Sequence, residues 1–93
     1  MATFITSRIV GETISVDVQT STGYWKYNHD GTDFGLFGNG TESLVVLNSN
    51  GEFTIISCLS DGTVSGDIGT LGLGNNQLTS FDGAVLSSLN ILE

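Results

Sequence analysis

Proline is absent from this 93-residue chain, cysteine and histidine occur once each, and Arg8 and Lys26 are the only basic residues. Each scarcity excludes something. A lone cysteine, Cys58, permits no intrachain disulfide. It sits in the apolar run Phe53-Thr54-Ile55-Ile56-Ser57-Cys58-Leu59, where it is expected to act as a small buried hydrophobe. Ten acidic residues against two basic ones give a formal net charge of −8. Such a surface repels phosphate backbones and anionic bilayers, so neither nucleic acid nor membrane is an expected partner. The acidity reads first as a device for solubility. Without proline, one common way of blunting sheet edges is missing. No stretch approaches the length of a transmembrane helix. The start, Met1-Ala2-Thr3-Phe4-Ile5-Thr6, has neither a basic n-region nor a long apolar h-region and is not read as a secretory signal. The chain is therefore expected to stay in the cytoplasm where it is made or to leave by a route other than a cleaved signal, of which assembly into a virus particle is one.

Glycine, by contrast, is abundant, with 13 residues. Turn signals recur at Gly11, Gly23, Asp30-Gly31, Asn39-Gly40, Asn50-Gly51 and Asp61-Gly62, at roughly the eight-to-twelve-residue spacing of sandwiches and barrels. Asn-Gly and Asp-Gly provide the positive φ angles of two-residue hairpins. Between the turns lie strand patterns. Ile14, Val16 and Val18 alternate with Ser15, Asp17 and Gln19, as on a half-buried strand. Leu44-Val45-Val46-Leu47 and Phe53 to Leu59 are continuous apolar runs joined by Asn48-Ser49-Asn50-Gly51, which predicts a central hairpin covered on both faces. Gly35-Leu36-Phe37-Gly38-Asn39-Gly40 lacks the lysine of a phosphate loop and reads as a flexible hairpin tip. Only residues 81–89 suggest as much as one helical turn. The expected fold is all-β: a small antiparallel sandwich-like domain over residues 1–63, with sandwich and barrel both open, then the start of a leucine-rich-repeat solenoid over residues 64–93.

The solenoid expectation rests on Ile68-Gly69-Thr70-Leu71-Gly72-Leu73-Gly74-Asn75-Asn76-Gln77-Leu78, which meets the pattern L-x-x-L-x-L-x-x-N-x-L throughout. In such a repeat the aliphatic positions face a stacked core, and the asparagine, here Asn76, satisfies backbone groups where the chain turns off its strand. Leu89 and Leu92 repeat Ile68 and Leu71 twenty-one residues on. About three repeats are usually needed for stability. A partial repeat must therefore stack on the preceding domain and on something further: more chain beyond Glu93, or a partner at an assembly surface.

Together with Gly51 to Cys58, Ser60-Asp61-Gly62-Thr63 and Asn75 to Gly83, this stretch resembles the lead-in and first repeat of bacterial leucine-rich-repeat surface proteins, and similar modules of tailed-bacteriophage structural proteins. The resemblance is strong over residues 66–92 and loose over 23–63. It implies a non-enzymatic protein displayed on a surface, in a virion or alternatively on a bacterial cell, with a homo-oligomer or a capsid or tail assembly as partner. The chain departs from the family in carrying little more than one repeat. Leu71, Leu73, Leu89 and Leu92, with Leu78 and Phe81, are its expected stacking residues.

Chemistry-bearing groups are few. His29, in Asn28-His29-Asp30-Gly31-Thr32-Asp33, reads as an exposed turn residue, and no serine occupies a G-x-S-x-G elbow, so no enzyme is expected. Asp30 with Asp33, and Asp61 with Asp67, lie in glycine-rich turns that could offer oxygens to Ca²⁺. That ion takes roughly six to eight oxygens, neither segment matches an EF-hand loop, and turn formation by itself accounts for Asp before Gly. No cofactor is expected, with Ca²⁺ as the one alternative. Tyr24, Trp25 and Tyr27 have two readings. They form an exposed contact patch for a glycan or protein, as in an adhesin, or Trp25 fills the core while Tyr24 and Tyr27 flank it on the opposite face.

Overall fold

The computed structural model describes residues 1–74 and 76–82 and the backbone of 90–92. Every regular element among them is a strand: β1 (Ala2–Thr6), β2 (Thr13–Thr20), β3 (Tyr24–His29), β4 (Thr32–Gly38), β5 (Gly40–Val45), β6 (Glu52–Cys58), β7 (Ile68–Gly72), β8 (Leu78–Asp82) and β9 (Asn90–Leu92). They form two sheets, one ordered β4-β3-β6-β1-β8 and the other β5-β2-β7-β9. All pairings are antiparallel except β7 with β9, which is parallel. The all-β expectation is met, and between sandwich and barrel the structure is a sandwich.

Side-chain alternation builds the core. Ile14, Val16 and Val18 on β2 are buried as their spacing requires, with Leu44 and Leu71 beside them on the inner face of the same sheet. Opposite them the five-stranded sheet contributes a layer of rings. Phe4 stacks on Phe53 with centroids 5.5 Å apart, His29 lies 3.8 Å from Phe53, Trp25 lies 4.7 Å from Phe37, and Tyr27 lies 5.0 Å from Phe34. Trp25 is fully enclosed, and its indole N–H donates to the Gly38 carbonyl at 2.9 Å. Each such large side chain contributes about 1.5–3 kcal/mol of burial energy, as an upper estimate.

Turn positions were legible, but most of what they connect was not. Among the described strands, only β3 and β4 form a local hairpin. There Asp30 and Gly31 take φ of 55° and 72°, the pair of left-handed residues that a two-residue I′ turn demands. The remaining connections among the described strands pass from one sheet to the other. The expected hairpin of residues 44–47 with 53–59 is one casualty: β5 is an edge strand of one sheet and β6 the centre of the other. The run at 44–47 alternates instead, with Leu44 and Val46 buried and Val45 and Leu47 about half exposed. Likewise Gly35 to Gly40 is not a hairpin tip. Gly35 to Gly38 belong to β4, and Asn39 alone carries the chain across to β5. Of residues 81–89, Phe81 and Asp82 end strand β8, while 83–89 lie outside the described residues.

β2, the second strand in its sheet, is clamped by two asparagine side chains. Beyond the last β2–β5 pair, Asn39 Oδ1 accepts the Thr20 N–H at 2.9 Å and its Nδ2 donates to the Thr20 carbonyl at 3.3 Å. On the other flank, beyond the last β2–β7 pair, Asn76 Oδ1 accepts the Ser15 N–H at 3.1 Å and its Nδ2 donates to the Ser15 carbonyl at 2.6 Å. A carboxamide has one donor end and one acceptor end, so each asparagine substitutes for one more peptide of the neighbouring strand. Asn76 thus satisfies backbone groups at the exit from β7, but those groups belong to β2.

Ile68, Leu71 and Leu73 are buried in the core between the two sheets, and Leu78 and Phe81 pack partly against it. After β7 the chain enters the other sheet as β8 and returns as β9 beside β7. The parallel register pairs Thr70 with Asn90 and Leu71 with Ile91, an offset of twenty residues where the leucine spacing predicted twenty-one. Strands from both sides of Asp61–Gly66 share each sheet.

Candidate interaction surface

The residues expected to bind a partner separate in space. Strand alternation puts Trp25 and Tyr27 on the inner face, with 0% and 8% exposure, while Tyr24 points outward at 40%. The expectation that Tyr27 joins Tyr24 opposite Trp25 is corrected: residues two apart on a strand share a face. The three rings therefore form no common surface patch. Leu71 and Leu73 are interior. Leu89, and the side chain of Leu92, lie outside the described residues.

His29 is corrected as well. It ends β3 rather than standing in the turn, and it is 1% exposed. The Leu47 N–H donates to its Nε2 at 2.8 Å, which requires a bare nitrogen there. Its Nδ1 carries the proton and donates to the Glu52 carbonyl at 2.7 Å. The ring ties the β5–β6 arch to β3, and both nitrogens are occupied by backbone.

Three of the four aspartates, Asp30, Asp33 and Asp61, accept hydrogen bonds from other residues of the fold. Asp30 accepts from the Asn48 amide at 2.8 Å. Asp33 accepts from the Asn28 amide at 2.8 Å and lies 3.3 Å from the Lys26 ammonium. The Asn28 hydrogen bond, then Lys26, holds its carboxyl below the usual range. Asp61 accepts the Thr63 N–H at 2.9 Å, and that bond lowers its pKa. Among the described residues, no three His, Cys, Asp or Glu side chains are grouped to hold a metal ion.

Exposed aliphatic groups gather elsewhere. The β1–β2 arch is bonded to the end of β5: Gly11 N–H donates to the Val46 carbonyl and Val46 N–H to the Glu12 carbonyl, both at 2.9 Å. This brings Ile9 and Val10, 69% and 56% exposed, to the end of the sandwich that carries Val45 and Leu47. Alongside runs the outer edge of β5, on which no described strand pairs. Asn39 shows that the peptide groups of Thr20 face the β5 side, and antiparallel pairs alternate. Gly40, Glu42 and Leu44 therefore bond inward to β2, while the peptide groups of Thr41, Ser43 and Val45 face outward. Glu42 pairs with Val16 and so leans to the inner face at that margin, an inward charge of the kind that discourages indiscriminate edge pairing. The sequence carried one trace of this surface, the aliphatic pair Ile9-Val10 beside the Gly11 turn. Val45 and Leu47 were masked by the appearance of a fully buried run.

No family model, curated protein or solved structure matches the chain, so function is read from its own chemistry.

Proposed function

We propose that this chain is a non-enzymatic structural and interaction module that works by packing against other protein surfaces. The observation that carries this reading is the aliphatic end, Ile9, Val10, Val45 and Leu47, beside the edge of β5 that no described strand pairs with, in a chain whose formal net charge is −8. Exposed apolar groups gathered in one place mark contact sites, and an open strand edge offers ready hydrogen-bonding groups. The contact is therefore assigned to this end, because Leu71 and Leu73 are consumed by the core. A virus particle is the proposed setting, with the chain as a head-decoration, fibre-base or tail component. Support for that setting is the sequence resemblance over residues 66–92.

Light scattering across a concentration series tests the reading. The wild-type chain is expected to exceed its monomer mass of 9.8 kDa. An Ile9→Ser/Val10→Ser variant, exposed at both positions and so unchanged in unfolding midpoint, is expected to return to the monomer. A wild-type chain that stays monomeric to its solubility limit refutes self-assembly through this end.

A further inference from the structure

We propose that Asn50 is a site of spontaneous covalent modification, its carboxamide being lost through a cyclic imide, and that the fold protects Asn39, which stands in the same Asn-Gly dipeptide. The reaction needs only water. The Gly51 amide nitrogen gives its proton to solvent base and attacks Asn50 Cγ, Nδ2 takes a proton from solvent as the Cγ–Nδ2 bond breaks, and ammonia leaves. Water then opens the imide at either carbonyl, giving an aspartyl or isoaspartyl residue with one ammonia lost and one water gained. A following glycine leaves the approach unobstructed by any side chain.

The two asparagines differ in what holds them. Asn50 is exposed, on the arch between β5 and β6. Its Oδ1 accepts the Glu52 N–H at 2.9 Å, which folds the carboxamide back over the Gly51 peptide and places a donor on the oxygen where negative charge develops during attack. The Gly51 N–H is held only by a long contact of 3.3 Å to the Asn48 carbonyl, outside the usual range for such bonds. Asn39, in contrast, has both ends of its carboxamide bound to the Thr20 peptide groups at 2.9 and 3.3 Å, so its Cγ is turned toward β2 and must be released before Gly40 can attack.

Modification would act on the fold. The isoaspartyl product adds a backbone carbon ahead of Gly51, whose carbonyl accepts the Thr6 N–H at 3.0 Å and whose Cα lies against the Thr6 carbonyl. The arch cannot lengthen there without pulling Gly51 off β1.

Folded and urea-unfolded chain are incubated in mildly alkaline buffer and followed by peptide mapping that separates aspartyl from isoaspartyl products. In urea both sites are expected to convert at similar rates. In the folded chain Asn39 is expected to slow at least roughly tenfold, the factor that two hydrogen bonds of ordinary net strength impose, while Asn50, next to the buried Gly51, slows by less than Asn39. Ammonia release from folded Asn50→Ser should fall to background. Folded-state conversion at Asn39 equal to or faster than at Asn50, or an Asn50 that converts only in urea, overturns the proposal.

Discussion

Asn76→Ala removes two hydrogen bonds at once and leaves the Ser15 N–H and carbonyl of β2 without their partners. Asn76 is 3% exposed, so water reaches the vacated side only in part. An abandoned buried polar group costs about 1–3 kcal/mol. With some relief from water, the pair is expected to cost about 2–4 kcal/mol. A domain of this size has roughly 5–14 kcal/mol in total, so the loss is a large fraction. Trp25 is the only tryptophan and is fully buried, and its fluorescence in a urea titration reads the change directly. Asn76→Asp sharpens the test. It keeps the acceptor for the Ser15 N–H, but at neutral pH sets a carboxylate against the Ser15 carbonyl, which Nδ2 now approaches to 2.6 Å. This variant should be less stable than Asn76→Ala at neutral pH. Its introduced carboxyl should have a raised pKa in the folded state, because only the protonated form donates to that carbonyl. A raised folded pKa gives stability that is complete below the unfolded value of about 3.9 and is lost as pH rises through the folded one. The two variants should therefore exchange rank on acidification. An alanine cost below about 0.5 kcal/mol, the range of indifferent surface substitutions, or an aspartate variant that outranks alanine at neutral pH, would refute the clamp.

Glycine positions divide by what surrounds them. Gly31 has positive φ and open space, so Gly31→Ala should cost about 1–2 kcal/mol from the left-handed conformation alone. Gly51 adds a Cβ inside the van der Waals reach of the Thr6 carbonyl, and Gly51→Ala should exceed about 4 kcal/mol; equal unfolding midpoints would contradict the packing of β1 on the arch. Asp33 has a depressed pKa owed first to Asn28 and then to Lys26. A carbon-detected NMR titration should show its pKa rising more in Asn28→Ala than in Lys26→Met, and the opposite order would refute the assignment. Its contribution to stability is present above the unfolded pKa and is lost as pH falls through the lower folded one. Burial pushes the Cys58 thiol up and leaves it no exposure. Native alkylation by iodoacetamide should therefore be far slower than in urea and should track global unfolding; rapid native labelling would show that the far end of β6 is open.

The local pattern was sufficient for part of what a residue and its close neighbours decide. Alternation in Thr13–Thr20 identified β2 and its buried face, and Asp30-Gly31 announced the one two-residue hairpin, because side-chain period and φ preference are local properties. Asn76 was marked as a residue that satisfies backbone groups near a strand end, since a carboxamide in that pattern has few other uses. What the pattern could not carry was the identity of the neighbour. A turn glycine reverses the chain whether the next strand pairs with the last or crosses to the opposite sheet, and only the competition among all strands for core and hydrogen bonds decides which. That competition separated β5 from β6, turned Leu71 and Leu73 into sandwich core, and bound Asn76 to β2. It also enclosed His29 between two backbone groups, at Leu47 and Glu52, that lie roughly 60 and 80 Å of fully extended chain away. The acidity and the strand periods belong to the sequence alone. The exposed end at Ile9, Val10, Val45 and Leu47 exists only because distant segments meet there, and no reading of either segment by itself contains it.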